Sequence, residues 1–165
     1  MGLKFEGNIW KLRDDVDTDI IMPTQYIVLF EPKYMVPHAF EPLRPELPSL
    51  VKEGDIFVAG KNFGCGSSRE QAPEIIKCMG VKCIIAKSFA RIFYRNAVNN
   101  GMLLIESDLY DRCEEGERLK VDTDTGIEYH GKIEKMPPIP ENIEAIIKAG
   151  GLVKMMQKRN GIKEV

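Results

Sequence analysis

Three short apolar runs, 55–60, 82–87 and 102–105, are separated by two segments with helical character. Apolar runs of this length without alternation suit strands covered on both faces. The first spacer, Glu74 to Met79, reads as a short helix closed by Gly80. The second, Ser88 to Gly101, places Phe89, Ile92, Phe93, Asn96 and Ala97 on one helical face. Ser88 is the expected N-cap there and Asn100-Gly101 the expected C-cap. Strand–helix–strand–helix–strand in this order builds a parallel sheet through right-handed crossovers. The expected class is α/β, with helices flanking a mostly parallel sheet.

The flanking sequence adds β structure. Residues 3–12 alternate apolar and polar and read as a strand bent at Gly7. Residues 117–122 and 126–133 read as two strands of a hairpin turning at Asp124-Thr125-Gly126. Glu141 to Gly150 is amphipathic and helical, and Leu152 to Asn160 is a last helical piece with a basic end. No repeat or low-complexity linker divides the 165 residues, so 1–165 is expected to be one domain.

Composition excludes several function classes. Net charge is −2 with no long run of either sign, which leaves no nucleic-acid footprint. No stretch has signal-peptide character or bilayer-spanning length, and a cytoplasmic location is expected. Four cysteines occur without a Cys-x-x-Cys pair. They fit neither a zinc ribbon nor a self-contained iron–sulfur site, so no metal is assigned to this chain and free thiols are expected.

The densest chemistry lies between the first run and its helix, in Lys61-Asn-Phe-Gly-Cys-Gly-Ser-Ser-Arg-Glu-Gln-Ala-Pro73. Gly64 and Gly66 permit positive φ or close approach of a ligand. Ser67, Ser68 and Arg69 then arrive near a helix start, where free N–H groups favour negative charge, including a serine alkoxide. Arg69 carries a fork suited to carboxylates. Ser67-x-x-Glu70 equally fits a capping box without function. Pro73 argues against a helix continuous from Ser67 and for one starting near Pro73 itself. Cys65 reads as a small buried thiol.

Two other segments stand out. Asp14 to Asp19 alternates carboxylates but lacks the glycine and glutamate of a calcium loop, so a turn using Asp side chains on backbone is expected. Tyr26-Ile27-Val28-Leu29 is apolar beside a proline-punctuated stretch, and core packing is the favoured reading over a pocket wall. Arg91 and Arg95, one helical turn apart, are either a solvated edge or a contact for an acidic group.

Several ordered stretches together resemble the small subunits of aconitase-type isomerases. They are Asp17-Thr18-Asp19-Ile20-Ile21, Asn62 to Glu70, Lys87 to Asn96, Asn99-Asn100-Gly101 and the closing Ile-Lys-Ala-Gly-Gly-Leu. The resemblance implies a swivelling β/β/α domain with an additional hairpin or barrel-like portion. It implies a cluster-bearing large subunit as partner, in a heterodimer or heterotetramer, holding a [4Fe–4S] cluster with three cysteines of its own. The implied reaction is dehydration and rehydration of a hydroxy-dicarboxylate, active only with that subunit. Ser67 is implied as the base, acting as an alkoxide, with Ser68 and Arg69 binding substrate. Asp17, Thr18, Asp19, Gly64, Cys65 and Gly66 are implied as supporting residues. Gln71 stands where the family often has His, which removes a titratable group.

The family resemblance also speaks to substrate. A homoaconitase-type loop resembles Tyr-Leu-Arg-Thr, and this chain has Tyr26-Ile27-Val28-Leu29, with Val28 in the Arg position. A third carboxylate against Val28 would be desolvated without a partner, at several kcal/mol. An isopropyl group would instead gain roughly 1.5–3 kcal/mol by burial. Isomerisation of 2-isopropylmalate, as in leucine biosynthesis, is therefore expected, with citramalate as a second substrate because one methylene discriminates weakly. The alternatives are a homoaconitase-type small subunit and a non-catalytic carboxylate-binding or structural module.

Overall fold

The computed structural model describes residues 2–163. Its first strand, β1 (Lys4–Leu12), changes partner halfway. Lys4 to Asn8 pairs antiparallel with β5 (Arg118–Asp122), whereas Ile9 to Leu12 pairs parallel with β2 (Ile56–Ala59). The change falls beside the expected bend. A Cβ at Gly7 would lie 2.1 Å from the Gly54 carbonyl oxygen, so only glycine lets the loop before β2 lie against β1.

From β2 the chain runs through α4 (Gln71–Cys78), β3 (Cys83–Ala86), α5 (Arg91–Asn99) and β4 (Leu103–Glu106). All three strands are parallel in register, as the alternating pattern predicts. The helical pieces before β2 are α1 (Thr18–Ile21), α2 (Pro32–Met35) and α3 (Leu47–Leu50), with 3-10 turns over Thr24–Leu29 and Val36–His38. After β4 come a 3-10 turn (Leu109–Asp111), β5, β6 (Gly126–Tyr129), β7 (Lys132–Glu134), α6 (Glu141–Lys148) and α7 (Leu152–Arg159). One seven-stranded mixed sheet results, in the order β4-β3-β2-β1-β5-β6-β7.

The expected second hairpin strand is divided. His130, at φ +52°, and Gly131 make a tight turn, so 126–133 forms parts of two strands rather than one.

Both faces of the parallel half are covered, which explains its unbroken apolar runs. Phe57, Ala59, Ile84 and Ala86 point into a core with Ile75 and Ile76 of α4 and Phe93 and Ala97 of α5. Their neighbours Ile56, Val58, Cys83 and Ile85 point into a second core with Leu119, Val121, Ile127 and Ile147. At the base of β2, Asp55 is buried and accepts hydrogen bonds from the Asn8 N–H (3.1 Å), Trp10 Nε1 (2.8 Å) and the Lys52 N–H (2.9 Å). Three donors satisfy that buried carboxylate and tie β1 to β2.

Candidate active site

The acidic segment and the glycine-rich segment lie side by side. The Asp15 N–H donates to the Lys61 carbonyl (2.8 Å), the Gly64 N–H to the Val16 carbonyl (2.8 Å) and the Thr18 N–H to the Cys65 carbonyl (2.8 Å). Side chains extend this ladder. Asp14 Oδ1 accepts from the Lys61 N–H (2.7 Å), and Asp15 Oδ1 accepts from Asn62 Nδ2 (3.0 Å). Asp17 caps α1, its Oδ1 accepting from the Ile20 N–H at 2.8 Å. The expected Asp-rich turn is present, and it also carries the loop after β2.

That loop is held from behind by rings. Phe63 bridges to Phe89 and packs edge-on against Phe93, with centroids 5.3 Å apart. Gly64 has φ +81°, and a Cβ there would meet Phe93 Cγ at 2.1 Å, so both the backbone and the space demand glycine. Ser88 Oγ accepts from the Asn62 N–H at 2.8 Å. This corrects the expected role of Ser88: α5 begins at Arg91 behind Ala90, with no side-chain cap, and Ser88 serves the loop instead.

Ser67 is exposed beyond Gly66 (φ +99°). Its Oγ lies 3.0 Å from Thr18 Oγ1, and its N–H donates to that same oxygen at 3.1 Å. Thr18 is 1% exposed, so its hydroxyl is reserved for this contact. Because Thr18 Oγ1 already accepts from the Ser67 N–H, its proton is free to point at Ser67 Oγ. A buried hydroxyl thus backs an exposed one and is able to donate to it.

Arg69 is anchored by three groups. Its Nη1 pairs with Asp19 Oδ1 and donates to the Met22 carbonyl (3.3 Å), while Nη2 donates to Thr24 Oγ1 (2.8 Å). Ser68 is exposed, and its carbonyl accepts from Asn96 Nδ2 at 3.4 Å. The capping box is not formed. Helix α4 starts at Gln71 behind Glu70, with no side-chain cap bond, so Ser67 stands outside the helix and its backing is Thr18 rather than the helix end. The start at Gln71 puts Pro73 in the first turn, where its missing N–H costs nothing.

Thr24 also opens the 3-10 turn that carries Tyr26 to Leu29, which brings that turn beside Arg69. Tyr26 and Ile27 are half-buried against the core, and Tyr26 donates to Glu41 (2.9 Å) and stacks on His38. Val28 and Leu29 are exposed, 68% and 37%, followed by Phe30 at 86%. The core-packing expectation holds for Tyr26 and Ile27 and fails for Val28 and Leu29. The apolar end of the run is open to solvent, as a pocket wall awaiting cover would be.

Cys65 is a free thiol whose pKa is raised by burial and by the nearby Asp17 and Asp15 carboxylates, so it is a poor nucleophile near neutral pH. Among the described residues no three His, Cys, Asp or Glu side chains group as a metal site. The cysteines are dispersed: Cys83 and Cys113 lie in the second core, Cys65 in the loop and Cys78 at the end of α4. These residues do not fit an iron–sulfur cluster. Among the described residues no helix is long and apolar enough to cross a membrane.

Asp14, Asp15, Thr24, Ser88 and Asn96 complete the arrangement, and reading by local spacing does not single them out for these contacts. The carboxylates of Asp14 to Asp19, read as a turn bonding backbone, were the signal for the first two.

A parallel βαβαβ unit, an antiparallel extension on its first strand and a Gly-Cys-Gly-Ser-Ser-Arg loop docked on an Asp-Thr-Asp turn define an aconitase-type swivelling domain. A family model described as the aconitase C-terminal domain matches residues 48–109. The chain belongs to the 3-isopropylmalate dehydratase small-subunit family. It is 56% identical to the 3-isopropylmalate dehydratase small subunit of Lachnospira eligens over 98% of this chain and 99% of that one. It is 48% identical to the one from Syntrophus aciditrophicus over 96% and 99%. The crystal structure of a 3-isopropylmalate dehydratase (LeuD) from Methanocaldococcus jannaschii superposes with a TM-score of 0.88 at 42% identity, covering 96% of each chain.

Proposed function

We propose that residues 1–165 act as one swivelling domain, the small subunit of a 3-isopropylmalate dehydratase. It interconverts 2- and 3-isopropylmalate together with a large subunit. The observation that carries the residue assignment is the Thr18-backed Ser67 hydroxyl beside an anchored Arg69 and an exposed apolar turn. The [4Fe–4S] cluster is assigned to the large subunit, since the cysteines of this chain do not fit one.

The reaction removes a proton from a carbon bearing a carboxylate and hydroxide from its neighbour, together one water, then adds water back with the positions exchanged. Such a carbon acid needs a base and help for the developing carboxylate charge. Ser67 Oγ takes the proton as an alkoxide, and Thr18, positioned to donate, stabilises that charge. Arg69 presents its remaining N–H edge to a substrate carboxylate. Asp19 and Thr24 hold the guanidinium plane, so less rotamer freedom is lost on binding. Ser68 adds a hydroxyl on the open side.

Val28 and Leu29 set the substrate. In the free chain they are wet, so selection against a third carboxylate acts only when the partner closes over them and removes water. Burial of an isopropyl group is then favourable, and the methyl of citramalate fits the same surface with less gain.

Anaerobic assay with a cluster-loaded large subunit tests the proposal, using 2-isopropylmalate, citramalate and homoaconitate. Turnover of the alkyl substrates, lost in Ser67→Ala, is expected. Val28→Arg should shift preference toward homoaconitate. Wild-type preference for homoaconitate would refute the apolar-turn argument, and full activity of Ser67→Ala would refute the base assignment.

A further inference from the structure

Away from the Ser67 loop, the outer edge of β4 lines a cavity of about 430 Å³. Phe89, Tyr94, Val98, Leu104, Ile139 and Ile143 supply much of its apolar lining. Small-ligand sites have this size and this mainly apolar character, with a few polar groups that orient the occupant.

Three polar side chains stand on the lining: Arg91, Tyr94 and Glu106. Arg91 and Tyr94 are three residues apart on α5 and so share a face. Glu106 ends β4 and stands on the same lining. Burial, and secondarily the charge of Glu106, raise the Tyr94 pKa, which agrees with a hydroxyl inside the cavity near that carboxylate. Among the described residues, Arg91 and Glu106 form no ion pair, and the Tyr94 hydroxyl makes no hydrogen bond. Nearby charges behave differently. Asp108 pairs with Arg112, and Asp111 with Lys87. Arg91 and Glu106 line one cavity without bridging it.

We propose that this cavity binds a small zwitterion, an α-amino acid with an apolar side chain. Its carboxylate meets Arg91, its ammonium meets Glu106 and its side chain lies among Leu104, Ile139 and Ile143. The charges select this class. A dicarboxylate such as the substrate would face Glu106, and a simple amine would face Arg91. A hydrocarbon would engage neither charge. The site also touches the loop scaffold. Phe89 packs edge-on against Tyr94 (6.1 Å) and against Phe63 (6.3 Å), the residue that begins the glycine-rich turn.

Calorimetric titration of the full chain tests this with L-leucine and L-phenylalanine as probes. Two controls are leucine without its ammonium (4-methylpentanoate) and without its carboxylate (3-methylbutylamine). Saturable binding of an amino acid is expected, with each control weaker by about tenfold or more, the loss that follows removal of a charged hydrogen-bonding group. Glu106→Gln should weaken leucine about as much while leaving 4-methylpentanoate unweakened, and Arg91→Gln should weaken leucine while leaving 3-methylbutylamine unweakened. Both are exposed positions, and a thermal melt of each variant verifies folding. No saturable binding of either amino acid, controls that bind as well as leucine, or both variants binding as wild type would overturn the proposal.

Discussion

Substituting Gly64 isolates how tightly the Ser67 loop is specified. In Gly64→Ala the new Cβ would meet Phe93 Cγ at 2.1 Å, Cβ at 2.5 Å and Cδ2 at 2.6 Å, on a backbone at φ +81°. Left-handed backbone costs an L-residue about 1–2 kcal/mol. Overpacking a well-filled site costs about 1–3 kcal/mol more. The sum, about 2–5 kcal/mol, is a large fraction of the roughly 5–15 kcal/mol that keeps a domain folded. Gly116 supplies the control, since its φ is +87° and nothing lies within 4 Å of its would-be Cβ. Gly116→Ala should therefore pay only the backbone cost. In thermal melts a loss of about 3 kcal/mol lowers Tm by about 6–12 °C for a chain of this size, against about 2–4 °C for each 1 kcal/mol at Gly116. Urea titration should show the same order. Equal destabilisation at the two glycines would refute the steric argument, because their backbones differ little and their surroundings differ greatly. Activity in the assembled enzyme should fall with Gly64→Ala and not with Gly116→Ala.

Thr18→Val keeps the shape of the residue and deletes the donor behind Ser67. It should lower kcat about 10²-fold, the usual loss when one donor to a developing oxyanion is removed, while Thr18→Ser stays near wild type. An unchanged kcat in the valine variant would show that Thr18 only fills space. Asp55→Ala leaves three N–H donors without their acceptor and should cost about 3 kcal/mol in urea unfolding, with no change in cluster-dependent chemistry. Alkylation followed by peptide mapping should label exposed Cys78 first and Cys65 more slowly, with Cys83 and Cys113 protected until unfolding. All four thiol pKa values are raised, with burial the leading cause. Less thiolate is therefore present near neutral pH than in a free thiol, and labelling should accelerate as pH rises. Early labelling of Cys83 would mean that the sheet opens in the native state.

The parallel half of the fold was legible because each of its strands is buried on both faces and announces itself as an unbroken apolar run. Gly7 likewise marked the place where β1 changes partner. Features set by distant contacts were harder to read. Ser88 has the chemistry of an N-cap, and nothing local says that the Asn62 N–H, far back in the chain, takes its hydroxyl instead. The 126–133 run hid a turn at His130-Gly131, since apolar residues on either side preserve the alternation. Val28 and Leu29 were read as core because apolarity reports a need for cover without saying what supplies it. In the site, Ser67 and Arg69 were visible from their glycine frame. The ladder from Asp14 to Thr18 was not, because its partners are brought together only by β1 and β2 lying side by side.

The divided pairing of β1 has a consequence for biosynthesis. Phe5 and Gly7 wait for Val121 and Leu119, which leave the ribosome long after the β2–β4 unit is complete. Until then half of the first strand has an open edge, and the loop-closure entropy of most of the chain must be met before β5 can cover it. The parallel half can assemble during translation, but the antiparallel half is a late step. In that interval the exposed edge is the place where a nascent chain of this design is most open to pairing with the wrong strand.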